Sequence, residues 1–297
     1  MIIDEQSLEL SYKGFQTVFN EAREGTPSYF EKVAMTVSSG ASDETYGWIA
    51  NIPGMREWIG QRQIKNLTAS KYTIANKLFE STVSVKRTSM EDDRLGVYKP
   101  AFAELGSMSQ RHPDTMIFSL MKSGFAANCY DGQFFFDTDH PMIDENGDTL
   151  VVANTDGGAG APWFLLDTSR AVRPMIWQER LPYEFQQLTK TTDPHVFMLD
   201  EYIYGVRARV NAGFGLWQLA WGSKQALNPA NYAAARAAMQ NMKGDGGRIL
   251  GVMPNVLVVP PSLETDARTL LKAATSASGA SNPWFDSADL IITPYLA

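Results

Sequence analysis

Gly251-Val252-Met253-Pro254-Asn255-Val256-Leu257-Val258-Val259-Pro260-Pro261-Ser262-Leu263-Glu264 has the pattern of a buried strand driven into a helix. Val256 to Val259 form a short, wholly apolar run rich in β-branched side chains and bounded by prolines. Pro260 and Pro261 lack the donor that a ladder requires and stop the strand. Ser262 is placed to cap a helix whose inner face is Leu263, Ala267, Leu270, Leu271 and Ala274. The run holds no nucleophile, acid–base pair or metal cage, so the best-marked element of the chain is architectural.

Working outward, the 297 residues are long for one core and predict one large lobe or two fused ones. A hydrophobic content of 44% with 20% charged residues describes an ordinary soluble protein. No apolar stretch reaches bilayer length, and Met1-Ile2-Ile3-Asp4-Glu5-Gln6 has no basic region followed by an apolar one, so neither a membrane span nor a signal peptide is expected. One cysteine, Cys129, excludes an internal disulfide framework and argues against a structural zinc site. The net charge of −7 comes without a basic stripe, which argues against a sequence-reading nucleic-acid binder but not against a container for nucleic acid.

Phe15, Val18, Phe19 and Ala22 share one helical face, Val33, Met35 and Val37 alternate, and Ser38 to Ser42 form a small-residue linker. This segment is too poor in apolar residues to make its own core and should lie on another surface. Tyr72 and Ile74, then Phe79, Val83 and Val85, alternate as in a long hairpin turning near Asn76-Lys77. A two-stranded ribbon is marginal alone and needs a surface to lie on. Residues 92–125 predict a long helix capped by Asp92 or Asp93, kinked at His112-Pro113 and recapped by Asp114. Beyond it, Phe134-Phe135-Phe136 predicts a strand, Asp144 to Asp148 a turn, Asp156 to Ala161 a flexible loop, and Asn228-Pro229 the start of a helix.

Asp137-Thr138-Asp139-His140-Pro141 is the one cluster with metal-binding or acid–base character. Its spacing fits no helical ligand motif, and Asp side chains capping a turn beside a proline explain it as well. The glycines at 157–158 and 244–247 lack the Lys-Ser/Thr of a phosphate loop, and no Gly-x-Ser-x-Gly elbow exists. Cys129 sits in an apolar setting as a packed thiol, and the tryptophans favour protein interfaces over a stacking platform. No catalytic, cofactor-binding or metal residue is therefore assigned.

An ordered set of stretches resembles the major head subunits of Mu-like phages and prophages. They are Gly14 to Phe19, Met55 to Arg62, Asn76 to Glu80, Glu91 to Gly96, Phe135 to Pro141 and Val256 to Glu264, spread over nearly the whole chain. The resemblance implies an α+β chain with the tailed-phage major capsid fold: N-terminal arm, extended β-hairpin loop, peripheral domain with a long spine helix, and axial domain. It places the arm at 1–45, the extended loop and flanking strands at 46–90, the peripheral domain at 91–129, the axial domain at 130–280, and a strand returning to the peripheral domain at 281–297.

It further implies a non-enzymatic protein that assembles with itself as pentamers and hexamers into an icosahedral head, enclosing double-stranded DNA without reading its sequence. Scaffold and portal proteins, and decoration proteins, are the expected partners. Assembly in the host cytoplasm into the virion is expected, with no membrane involved. Phe15, Phe19, Trp48, Trp58, Ile64, Tyr72, Ile74 and Phe79 are the expected contacts between subunits. An encapsulin-like compartment is the alternative of the same fold. A metal-dependent hydrolase centred on Asp137, Asp139 and His140 is the alternative of another class.

Overall fold

Asp4 opens the first helix through a reciprocal cap: its carboxylate accepts from the Ser7 N–H at 2.7 Å, and the Ser7 hydroxyl accepts from the Asp4 N–H at 3.0 Å. The computed structural model describes residues 4–47, 72–92, 94–144, 146–244, 246–275 and 279–297. The chain runs through α1 (Glu5–Gly25), α2 (Phe30–Val33), β1 (Ala34–Ser38), β2 (Asp43–Thr45), β3 (Thr73–Ala75), β4 (Lys77–Lys86), α3 (Arg87–Glu91) and α4 (Leu95–Ser123). It continues through β5 (His140–Ile143), β6 (Thr149–Val152), β7 (Thr155–Gly158), β8 (Trp163–Leu166), β9 (Met175–Leu188), α5 (Pro194–Leu199), β10 (Glu201–Phe214) and β11 (Ala220–Lys224). Then follow α6 (Pro229–Gln240), β12 (Lys243–Gly244), β13 (Arg248–Ile249), β14 (Val256–Val259), α7 (Glu264–Lys272) and β15 (Asp289–Ile292).

The apolar run at 256–259 is strand β14, buried on both faces inside a five-stranded sheet of order β15-β14-β8-β11-β7. It pairs parallel with β15 and antiparallel with β8. Ser262 is not the cap of the helix that follows. Pro261–Leu263 form a 3₁₀ turn, so α7 starts beyond Ser262 and ends before Ala274. Its buried face is Ala267, Leu270 and Leu271. The strand at 289–292 is the edge of the five-stranded sheet, where it pairs parallel with β14. The terminal turn Pro294–Leu296 does reach the long helix, where Lys122 Nζ donates to the Ala297 carbonyl.

A second sheet has the order β1-β9-β10-β4. Its long strands β9 and β10 lie within 130–280 in sequence, yet they join β1 and β4 rather than the five-stranded sheet. That span is therefore not one structural unit. Phe15, Phe19, Phe102, Leu105, Phe185 and Tyr204 belong to the core between this sheet and helices α1 and α4. Further along α4, Ile117, Phe118 and Met121 enter the core of the five-stranded sheet. The long helix thus serves both cores, which explains why it runs unbroken through Pro113: packing on both halves offsets the roughly 3 kcal/mol that an internal proline costs.

Several local expectations shift. Arg94, not Asp92, precedes α4, and Asp93 lies outside the described residues. Phe135 and Phe136 are buried but form no strand; the turn at 144–148 joins β5 to β6, with Asp144 Oδ1 accepting from the Asn146 and Asp148 N–H groups at 2.8 Å. Asp156 to Gly158 lie in β7, where Gly158 pairs with Lys224, instead of looping freely. Asn228 caps α6 as expected, accepting from the Asn231 N–H at 2.9 Å.

Asp114 does not recap α4. It is buried inside the helix, where Oδ1 accepts from Ser28 Oγ at 2.8 Å, Tyr29 N at 2.9 Å and Phe30 N at 2.7 Å. It thereby supplies the start of α2 with acceptors its own sequence lacks. Burial pushes this carboxyl up from its ordinary range, against the pull of the three donors. Asp114→Ala should strip two buried N–H groups of their acceptor and destabilise the chain by about 3 kcal/mol in a denaturant titration.

Candidate assembly surface and the Asp137 to His140 cluster

Strands β2 and β3 pair antiparallel, from Asp43 opposite Ala75 to Thr45 opposite Thr73. The ends of the segment outside the described residues are therefore paired neighbours. Asn76 is not the turn of a hairpin between β3 and β4, because β4 pairs with β10. It is one of several side chains that fix the β2–β3 base. Gln178, fully buried on β9, accepts from Tyr46 Oη at 2.8 Å and donates to the Ile74 carbonyl and Asn76 Oδ1, each at 2.9 Å. Asn76 Nδ2 donates to Ser39 Oγ and the Ala41 carbonyl, Asn211 Nδ2 donates to the Ala75 carbonyl at 2.7 Å, and Tyr72 Oη accepts from the Phe214 N–H at 2.8 Å. Burial pushes the Tyr72 phenol up to about 12 and raises Tyr46 as well. Ser38 to Ser42 are likewise organised rather than loose: Glu44 Oε1 accepts from Gly40 N at 2.7 Å and Ser39 Oγ at 3.0 Å, and these bonds, the Gly40 one first, lower its pKa.

The expected contact residues separate into three groups. Phe15 and Phe19, 2% and 1% exposed, are spent inside the chain: Phe15 stacks on Phe102 at 4.1 Å and Phe19 on Phe185 at 5.1 Å. Ile74 is buried too. These three have little surface left for a neighbour, because α4 and the four-stranded sheet supply the apolar surface the arm needed. Tyr72 and Phe79 are half-buried. Trp48, Trp58 and Ile64 lie outside the described residues. What sequence reasoning missed is an apolar apex on α5, between β9 and β10: Phe197 is 80% exposed, with Met198 and Leu199 beside it. The signal was there, three consecutive apolar residues in a segment too short to hide them. Val97, Leu10 and Val151 are exposed elsewhere.

Phe79 packs edge-on against His112, ring centroids 4.4 Å apart, and His112 Nδ1 hydrogen-bonds to Tyr183 Oη. Beside them a cavity of about 150 Å³, lined by Phe79, Leu105, Met108, Tyr183 and Val206 among others, separates α4 from the sheet. Burial lowers the His112 pKa, so the folded chain holds this imidazole neutral while the unfolded chain protonates it near pH 6.5. The unfolded state then binds more protons, and the His112 contribution is fully present above about pH 6.5 and lost as pH falls toward the lowered value. Melting measured from pH 7 to pH 5 should fall less steeply in His112→Gln than in the unaltered chain.

Asp137, Asp139 and His140 do not form one three-residue site: partial desolvation and then the neighbouring Asp137 carboxyl raise the Asp139 pKa, while His140 pairs with Asp131. Asp137 caps its own turn, accepting from the Thr138 N–H at 2.8 Å and the Phe134 N–H at 3.2 Å. Asp139 is exposed. His140 is fully buried, stacked on Trp217 at 3.9 Å, and its Nδ1 meets Asp131 Oδ2 at 2.7 Å. Asp131 also accepts from Cys129 Sγ at 3.0 Å and the Gln133 N–H at 3.1 Å. Burial pushes the Asp131 carboxyl up, but the His140 and Cys129 bonds outweigh it and hold it below its ordinary range. Burial, with Asp131 adjacent, pushes the Cys129 thiol far up, so it is no nucleophile.

Compared with known proteins, residues 8–296 match the family model of the Mu-like prophage major head subunit gpT. The chain is 40% identical to the major capsid protein of Escherichia phage Mu over 100% of both chains. It is similar to a chain of the procapsid of bacteriophage JBD30, with a TM-score of 0.88 and 46% identity over 99% of this chain and 100% of that one. A chain from the JBD30 capsid decorated with minor capsid protein trimers gives a TM-score of 0.77 at 35% identity, over 94% of this chain and 93% of that one.

Proposed function

The chain belongs to the Mu-like prophage major head subunit family, a capsid component of the virion and not an enzyme, and from that membership we propose how its parts build the head. Its fold is the α+β capsid fold of those relatives. Neither the encapsulin-like compartment nor the hydrolase is favoured: the family and its capsid neighbours point elsewhere, and His140 turns into the core to Asp131 while Asp137 caps its own turn.

Copies join as pentamers and hexamers into a closed icosahedral shell around double-stranded DNA. The peripheral domain comprises α1, the first half of α4 and the four-stranded sheet; the axial domain is built on the five-stranded sheet. Trp48, Trp58 and Ile64 belong to the segment between Thr45 and Thr73, outside the described residues, to which we assign the contact with a neighbouring subunit. One observation supports this most: the two strands that flank that segment are paired and fixed by a buried polar clamp on β9. The exposed Phe197, Met198 and Leu199 take the contact role that Phe15 and Phe19 cannot. Each such contact can be weak, because closure multiplies them.

A net charge of −7 suits a wall that encloses DNA without gripping it. Among the described residues no helix is long and apolar enough to cross a membrane. Scaffold and portal proteins act during assembly in the host cytoplasm, and a minor capsid protein decorates the finished shell, as minor capsid protein trimers decorate the JBD30 capsid.

Replacing residues 48–71 by a short Gly-Ser turn tests the contact segment's role. The clamp and both sheets should stay folded, with melting nearly unchanged, while sedimentation shows no shells. Shells at normal yield would contradict the assignment.

A further inference from the structure

Cys129 Sγ, an Asp131 carboxylate oxygen and a His140 ring nitrogen all lie within 4.8 Å of one another. We propose that these three side chains bind a divalent transition ion of the zinc class, with His140 Nδ1 as the nitrogen ligand. Sulfur, nitrogen and oxygen donors together are the set that a borderline-soft ion takes in four-coordinate sites.

The geometry is close to what such an ion needs. Nδ1 stands 2.7 Å from Asp131 Oδ2, and Sγ stands 3.0 Å from Asp131 Oδ1. Metal–ligand bonds of about 2.0–2.3 Å in a tetrahedron set neighbouring donors roughly 3.3–3.7 Å apart. The three donors, all within 4.8 Å of one another, therefore need to shift by only about 1 Å to reach that spacing. Their supports are fixed: the His140 ring lies flat on Trp217, 9° from parallel, and the Gln133 N–H orients Asp131 from outside, as an outer partner does in metal sites.

Charge supplies the second argument. His140 is 0% exposed and Cys129 6%, while the Asp131 side chain keeps 11% of its surface. Among the described residues no lysine or arginine pairs with Asp131. A doubly charged ion balances the carboxylate and a thiolate to zero, with the imidazole neutral. On binding, the thiol proton leaves to solvent, and the proton that His140 Nδ1 shares with Asp131 moves to Nε2, which is buried and has no other partner among the described residues, freeing the Nδ1 lone pair. Water fills the fourth position from the Asp131 side, where the cluster meets the surface. The ion would pin the 129–140 loop to the support of β5 and Trp217.

The test uses full-length protein stripped with chelator and titrated with Co²⁺. Cys129 is the sole cysteine, so any sulfur-to-cobalt charge-transfer band reports this site alone. The expected result is that band at one ion per chain, with the visible bands of four-coordinate cobalt, both removed by Zn²⁺. Cys129→Ser, which keeps a hydroxyl for Asp131, should lose the charge-transfer band. His140→Gln, the second variant should the first not fold, should weaken Co²⁺ binding by at least the roughly 10–100-fold that outer partners alone command. A folded, unaltered chain without the band overturns the proposal, as does His140→Gln binding with undiminished affinity.

Discussion

Gly106→Ala should unseat the arm helix and abolish shell assembly. Gly106 lies on α4 where α1 crosses it, and a Cβ there would stand 2.2 Å from the Phe19 carbonyl oxygen and 3.2 Å from the Arg23 nitrogen. Both are backbone atoms of α1, so no side-chain rotation relieves the clash; the helix itself must move. Alanine gains about 1 kcal/mol of helix propensity over glycine. Against that stand the burial of Phe15 and Phe19, worth about 1.5–3 kcal/mol each, and the Thr26–Ser107 hydroxyl bond at 3.0 Å. Loss wins, by roughly 3 kcal/mol or more. Gly96→Ala in the first turn of the same helix is the control, since nothing lies within 4 Å of its Cβ; it should be neutral or slightly stabilising. Chemical denaturation of both variants, beside their yield of sedimenting particles, decides it. Equal stability of the two would mean that α1 is not seated on Gly106.

Gln178→Leu should have the second-largest effect, and through a different route. Leucine has a similar bulk and suits a strand interior, so the four-stranded sheet should persist. What goes is the clamp: Tyr46 loses its acceptor, and the Ile74 carbonyl and Asn76 Oδ1 lose their donor. An unsatisfied buried polar group costs about 1–3 kcal/mol, so about 3–4 kcal/mol is expected across the three, with relaxation of Asn76 trimming the sum. Assembly should fall further than stability, because the β2–β3 base that flanks the proposed contact segment would no longer be held. Particle yield matching the unaltered chain, at reduced stability, would show that the clamp serves folding alone.

What the sequence disclosed was local. The run at 256–259, the cap at Asn228 and the alternation from Phe79 to Val85 each carry their signal within a few residues and each forms the element expected, though the Phe79 strand pairs with β10 and not in the expected hairpin. Periodicity marks which face is apolar without saying what covers it. Phe15 and Phe19 were therefore given to a neighbouring subunit, when α4 and β9 of the same chain cover them. The parallel pairing of β1 with β9 joins Ala34 to Met175, a distance in sequence that no local pattern spans. Gly106 looks like any helix glycine until α1 is laid across it. The Asp137 to His140 motif misled for a related reason. Successive residues entering a strand point to opposite faces, so Asp139 faces solvent while His140 turns inward to Asp131 and Cys129.

Electron microscopy of particles purified from cells making the chain with its neighbouring genes tests the central claim most directly. Closed icosahedral shells with this chain as the dominant band are predicted, with density for residues 48–71 crossing onto the adjacent subunit. Only monomers and small oligomers, with a scaffold present, would contradict it.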